Sequence, residues 1–177
     1  VTIIQDKLYH KEYTVKGAKN FQTITPLQGG YSFPSEGVKE VVEYNSEELE
    51  SLKAKTYLIG ELIYTKKNHR PINYEGTQDI GGISYHVISL MVGPPPASKK
   101  IYLNSQNFFI DKETQVYLNN QGQEVEETTY YSDYQKNPEG YIFPMNIKDS
   151  KGEFIVKSVK VNPEIDFSKL NIKYPLK

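Results

Sequence analysis

The stretch Ile80-Gly81-Gly82-Ile83-Ser84-Tyr85-His86-Val87-Ile88-Ser89-Leu90-Met91 decides how this chain is read. Gly81-Gly82 supplies the positive-φ positions that a tight hairpin turn needs. The residues after it are β-branched, aromatic and aliphatic, the composition that fits a pleated surface. Alternation sorts them into Ile83, Tyr85, Val87, Ser89 and Met91 on one face and Ser84, His86, Ile88 and Leu90 on the other. Neither face is cleanly polar, so the strand is expected to be covered on both sides. Gln123 to Thr129 differs, since acidic and small residues alternate around Val125 as they do where one side of a strand meets water.

Outward from that strand the same reading predicts Tyr57–Thr65, Ile72–Asp79, Ile83–Val92, Ile101–Leu103, Phe108–Asp111, Gln115–Asn119, Glu124–Tyr134, Tyr141–Lys148 and Phe154–Val161 as strands. Asn120-Gln121-Gly122, Asn137-Pro138-Glu139-Gly140 and Asp149-Ser150-Lys151-Gly152 punctuate them with hairpin chemistry. Asp111-Lys112-Glu113-Thr114 reads as an Asx-type turn. Gly93 to Ser98 holds three prolines, which donate no ladder hydrogen bonds, and reads as an exposed extended connection. Consecutive hairpins imply one long antiparallel sheet.

The N-terminal part opens with three expected strands, Val1–Gln5, Leu8–Val15 and Phe21–Thr25, followed by an aromatic loop from Pro26 to Pro34. Asn45 with Glu48 forms a capping-box pattern, with Tyr44 and Leu49 at the staple positions, and predicts a helix over Ser46–Lys55. Leu49, Leu52 and Ala54 give that helix a narrow apolar stripe suited to lying on a sheet. Val1 begins mid-pattern, which raises the expectation of further sequence upstream.

A chain of 177 residues fits one domain with a sizeable core. Its 21 basic and 22 acidic residues leave a formal net charge of -1, and Arg70 is the sole arginine, so nucleic acid and anionic membrane surfaces have no electrostatic footprint here. No apolar run approaches the ~18 residues a membrane helix requires. The absence of cysteine excludes disulfides, thiolate metal sites and cysteine nucleophiles. Fifteen tyrosines and seven phenylalanines, with no tryptophan, tilt the chain further toward β-structure.

Catalytic constellations are missing from the sequence. His10, His69 and His86 have no metal-ligand spacing, and the structural reading is preferred for each. There is no GxSxG elbow, Walker A loop or dinucleotide-binding GxGxxG. Glu126 and Glu127 face opposite sides of a strand and cannot share one glycosidic bond. No cofactor and no metal are implied, and an enzyme is not expected.

Several segments, in order, resemble the outer-membrane lipoprotein-sorting-protein-like domains of Bacteroidetes, whose fold is similar to LolA and LolB. They are Phe109-Ile110-Asp111-Lys112-Glu113-Thr114, Gly122-Gln123-Glu124-Val125-Glu126, Tyr130-Tyr131-Ser132-Asp133-Tyr134, Gly140-Tyr141-Ile142-Phe143-Pro144 and Val161-Asn162-Pro163-Glu164-Ile165-Asp166. Ile24-Thr25-Pro26-Leu27-Gln28-Gly29 and the helix at Ser46–Lys53 extend the resemblance upstream. Similar segments occur beside insulinase-like zinc peptidases. Set against the family, residues 1–177 are expected to begin after its signal peptide, N-terminal helix and first strands, and the Gly93–Ser98 connection stands where the family has a short hairpin. The resemblance implies a mainly β (α+β) fold over residues 1–177: a strongly curved antiparallel sheet forming an incomplete barrel, with short helices on the concave side. It also implies a groove for lipid or lipoprotein acyl chains and a periplasmic or cell-envelope location.

Two functions follow as expectations. The first is a non-enzymatic carrier of a lipid or lipidated protein. Strand alternation offers Tyr85, Val87, Phe108, Ile110, Tyr131 and Phe143 as its lining, an assignment that a one-residue register change would reverse. The second is a protein-interaction module of the cell envelope, associated with an insulinase-like peptidase or another complex and binding through a sheet edge or the Tyr31–Phe33 loop. Saccharide binding through surface tyrosines ranks third.

Overall fold

A computed structural model describes residues 1–4, 8–15, 18–25, 29–33, 42–45, 49, 52–56, 60–92, 97–119 and 121–166. They divide into two compact units, Val1–His69 with Ile165–Lys177, and Arg70–Glu164.

In the first unit, strands β1 (Thr2–Ile4), β2 (Leu8–Val15), β3 (Ala18–Thr25), β4 (Gly29–Phe33) and β5 (Val42–Glu43) pair antiparallel in chain order. The expected opening meander stands, with its third strand beginning at Ala18. Gly29–Phe33 corrects the loop expected from Pro26 to Pro34. Its backbone pairs with β3 from Thr25↔Gly29 to Phe21↔Phe33, so a ladder available from the neighbour outweighs the low strand propensity of two glycines. Leu8 and Ile24 are fully buried, and the directly paired His10 and Thr23 are buried too. Two polar side chains sit in this core because they satisfy one another, His10 Nδ1 to Thr23 Oγ1 at 2.9 Å.

The Leu49 amide donates to the Asn45 carbonyl at 2.9 Å, the bond that a helix capped at Asn45 makes. Residues 46–48, 50 and 51 of the helix expected over Ser46–Lys55 lie outside the described residues, and its end is a 3-10 turn, Lys53–Thr56, that buries Ala54 and Thr56. Helix α1 (Gly60–Lys67) corrects the strand expected at Tyr57–Thr65. The run Leu62-Ile63-Tyr64-Thr65 has strand-like residues, yet its ends carry helix chemistry. Glu61 lies at the N-terminus and Lys66 and Lys67 at the C-terminus, each with the sign the macrodipole favours. Beyond them the Asn68 backbone N–H and side-chain amide both donate to the Tyr64 carbonyl, while His69 closes the helix at φ 53°.

The second unit is a seven-stranded antiparallel sheet in which every strand pairs with its sequence neighbour. Its strands are β6 (Ile72–Ile80), β7 (Ile83–Met91), β8 (Ser98–Asn104), β9 (Ile110–Leu118), β10 (Glu124–Lys136), β11 (Ile142–Asp149) and β12 (Gly152–Ile155). Gly81 and Gly82, at φ 60° and 82°, make the β6–β7 turn as expected. β7 is covered on both sides, with Tyr85 and Val87 buried on one face and Leu90 on the other. Three expectations change here. Asp111–Thr114 is strand within β9 and merges the two short segments expected there, because both its neighbours offer ladders that a local turn would forfeit. β8 extends to Ser98–Asn104. The last strand stops at Ile155; the Val156 amide still donates to the Met145 carbonyl at 2.8 Å, and residues 157–161 are outside any strand. Gly93–Pro96 lies outside the described residues.

Candidate functional site

Directly paired residues on neighbouring strands share a face. Tyr85 pairs with Asn104, Val87 with Tyr102, Tyr102 with Lys112 and Lys112 with Tyr130. These side chains define one face of the second unit. By the same alternation Tyr134 joins that face, whereas Tyr131, opposite Ile147, and Phe143, opposite Gln135, belong to the other.

Two bulges modify this face, and each delivers a carboxylate. Between Tyr74↔Ile88 and Gly76↔Val87 the inserted residue is Glu75, and between Tyr102↔Lys112 and Leu103↔Ile110 it is Asp111. An inserted residue is free of strict alternation and can be re-aimed. Glu75 meets the Lys100 ammonium at 2.8 Å, which with Ser89 holds its carboxyl below the usual range. Asp111 has neutral partners, accepting from the Asn104 amide at 3.0 Å and from the Tyr85 hydroxyl. A neighbouring cation, Lys112, sits 4.2 Å over the Tyr102 ring.

Asp111 stands in an open concavity of about 580 Å³ lined by Tyr85, Asn104, Asn107, Phe109, Asp111 and the β10 run Tyr130–Tyr134. Phe109 and Tyr134 stack with ring centroids 4.4 Å apart, and the Tyr134 hydroxyl donates to the Ile110 carbonyl. Burial, with the Asp111 and Glu113 charges near it, pushes the Tyr134 phenol far above its ordinary range. Tyr85 moves the same way, first through burial and then through Asp111. Asp133 adopts φ 54° within β10, a left-handed conformation that Asp tolerates better than most residues. Mixed polar and aromatic walls, without a nucleophile–base pair, suit binding through stacking and hydrogen bonds.

Of the residues expected as lining, Tyr85 and Tyr131 border this concavity. Val87 is fully buried beside Tyr85 and Tyr102. Phe108 is 64% exposed and lies flat against His86, with centroids 5.8 Å apart. Ile110 enters through its carbonyl, and half-buried Phe143 shares the opposite face with Tyr131, whose hydroxyl donates to Glu113 at 3.0 Å. Sequence reasoning did not single out Asn104, Asn107, Phe109, Asp111, Tyr130 or Tyr134. Tyr130-Ser132-Tyr134, an aromatic alternation, was the available signal. His86 accepts or donates a hydrogen bond with the Tyr74 hydroxyl at 2.9 Å, consistent with the structural role expected of it. Among the described residues, no group of three His, Asp or Glu side chains is placed to hold a metal ion.

No protein-family profile and no curated protein sequence matches the chain. Among solved structures, it is similar to a Vibrio parahaemolyticus domain described as an outer membrane lipoprotein-sorting protein domain, with TM-score 0.50 and 12% identity over 93% of this chain and 80% of the other. A DUF1329 family protein from Desulfovibrio piger aligns with TM-score 0.47 and 8% identity over 82% of this chain and 71% of the other. At such low identity the first likeness is one of fold: the chain shares the mainly β, antiparallel architecture of a lipoprotein-sorting domain, and the likeness spans both of its units.

Proposed function

We propose that the chain is a non-enzymatic carrier of the cell envelope that binds a lipid, or the acyl chain of a lipoprotein, and that residues 1–177 serve this role as one domain in the periplasm. The observation that supports it is the aromatic concavity bordered by the rings of Tyr85, Phe109, Tyr130 and Tyr134, in a fold shared with a lipoprotein-sorting domain. An acyl chain gains about 0.8 kcal/mol per buried CH₂, so a dozen methylenes laid along ring faces need no covalent or ionic anchor. Among the described residues no helix is long and apolar enough to cross a membrane. Native mass spectrometry of the purified chain, paired with organic extraction of the same sample, tests the reading. Stoichiometric bound lipid is expected, and a clean apo mass that persists after incubation with envelope lipids overturns it.

A second reading, an interaction module working beside an envelope peptidase, draws on β6. This edge strand is exposed along nearly its whole length and presents Ile72, Tyr74 and Ile80. Such an edge can pair with an extended peptide. Crosslinking of a photoreactive side chain placed at Thr77 to one envelope protein would favour it, and the absence of any such adduct would remove it.

A further inference from the structure

The β8–β9 loop, residues 105–109, contributes Asn107 and Phe109 to the wall of the concavity, while the residue between them lays its ring on His86. Alternation along β7 fixes the sides. Tyr85 borders the concavity, so His86, the next residue, projects from the opposite face of the sheet. There Phe108 lies parallel to the imidazole within 2°, with centroids 5.8 Å apart. Phe108 and Phe109 thus straddle the end of the sheet, one ring against His86 and the other against Tyr134.

The loop's hydrogen bonds set its own shape. The Phe108 amide donates to the Asn104 carbonyl at 2.8 Å, the Asn104 amide to the Phe109 carbonyl at 2.9 Å and the Phe109 amide to Asn107 Oδ1 at 2.8 Å. Within that shape Phe108 takes φ 60°, which a bulky aromatic residue adopts only at a cost and which Asn107 beside it would tolerate better. Burial does not explain the placement, because Phe108 is 64% exposed. The contact that offsets the cost is the ring pair with His86. His86 is held in turn, with Nδ1 2.9 Å from the Tyr74 hydroxyl and with Thr77 and Leu103 directly opposite on the flanking strands. Backbone strain sustained by a contact beside a binding wall is the arrangement that pre-organises a site.

We propose that His86 is a positioning residue for the concavity: through the Phe108 ring it sets the β8–β9 loop so that Phe109 stacks on Tyr134 and, with Asn107, completes the wall that meets the ligand. The inference rests on the carrier reading and adds to its site a residue from the far face of the sheet. One ring pair can bias the loop only by its own worth, so the loss on removing it is about fivefold in affinity.

Two measurements on the full chain test it together: calorimetric titration with decyl maltoside below its micellar concentration, and the ring resonances of ¹³C-labelled tyrosine without ligand. In His86→Ala the Tyr134 resonances should move and the affinity should fall about fivefold. His86→Phe offers Phe108 a flat ring without the Tyr74 bond, and should restore both to within about twofold of the unaltered chain. Phe108→Leu, at an exposed position, should reproduce the effects of His86→Ala even where that variant does not fold. Unmoved Tyr134 resonances or unchanged affinity in the folded variants overturns the positioning role and leaves the carrier reading standing. A loss in His86→Phe as large as that in His86→Ala does the same. Failure of the unaltered chain to bind decyl maltoside overturns the carrier reading, and the ligand role of His86 with it.

Discussion

The Asn104 side-chain amide donates to the Asp111 carboxylate at 3.0 Å, so the last residue of β8 fixes the residue that bulges from β9. This bond decides where the negative charge of the concavity points. Asn104→Ala should destabilise the protein by about 1 kcal/mol, the net worth of a partly exposed hydrogen bond to a charged group. Asn104→Asp should cost more at neutral pH, since two carboxylates then face one another. The extra cost should shrink as the pH falls toward the carboxylate range and one of them is protonated. Urea midpoints for both variants at neutral and acidic pH check this.

Phe108 occupies the left-handed region at φ 60° and spends its ring on His86 rather than on the concavity. Its amide donates to Asn104 O at 2.8 Å, so the backbone conformation is set by the β8–β9 loop. Phe108→Ala should lose about 1 kcal/mol of stacking. Phe108→Gly loses the same stacking but removes a left-handed penalty of roughly 1–2 kcal/mol, and should be the more stable of the two variants. Chemical denaturation of the pair measures the difference.

Two buried threonines predict opposite responses to one substitution. Thr23 bonds His10 within the first sheet, whereas Thr114 Oγ1 has no hydrogen-bond partner among the described residues. Thr23→Val should destabilise by about 1–3 kcal/mol because it strands a buried imidazole nitrogen. Thr114→Val should be neutral or stabilising, since the methyl replaces a hydroxyl with nothing to bond. Thermal melts of the two variants distinguish them.

The Tyr134 phenol, raised by burial and by the carboxylates beside it, makes a contribution with a definite sign. Its stabilisation is fully present below the unfolded phenol range, near pH 10, and is lost as the pH rises from there toward the higher folded value. Stability should therefore decline above about pH 10, where the unfolded chain ionises this group and the folded chain does not. Tyr134→Phe should show a shallower decline. Urea titrations on the alkaline side, with phenolate absorbance recorded in parallel, provide the measurement.

The sheet was legible because hairpin turns and two-residue alternation are local: Gly81-Gly82 and the β-branched run after it gave β7 directly. α1 was not, since Tyr57–Thr65 has strand-like composition and its helical state is written in the Lys66-Lys67-Asn68-His69 terminus instead. The Asp111–Thr114 segment illustrates the same limit from the other side. Asp and Thr read as a turn in isolation, but ladders on both flanks hold them in β9. For the site, alternation chose Tyr131, while its neighbours Tyr130 and Tyr134 share the face of Tyr85. The bulge that puts Asp111 among them depends on pairing between strands, which no single-strand pattern records.

Ring resonances of ¹³C-labelled tyrosine, followed while a sub-micellar decyl amphiphile is added to the full chain, test the carrier account most directly. Tyr85, Tyr130 and Tyr134 should shift together and saturate at one equivalent, while Tyr74, on the opposite face, stays unmoved. Shifts spread evenly over all tyrosines, or none that saturate, would contradict a ligand site in this concavity.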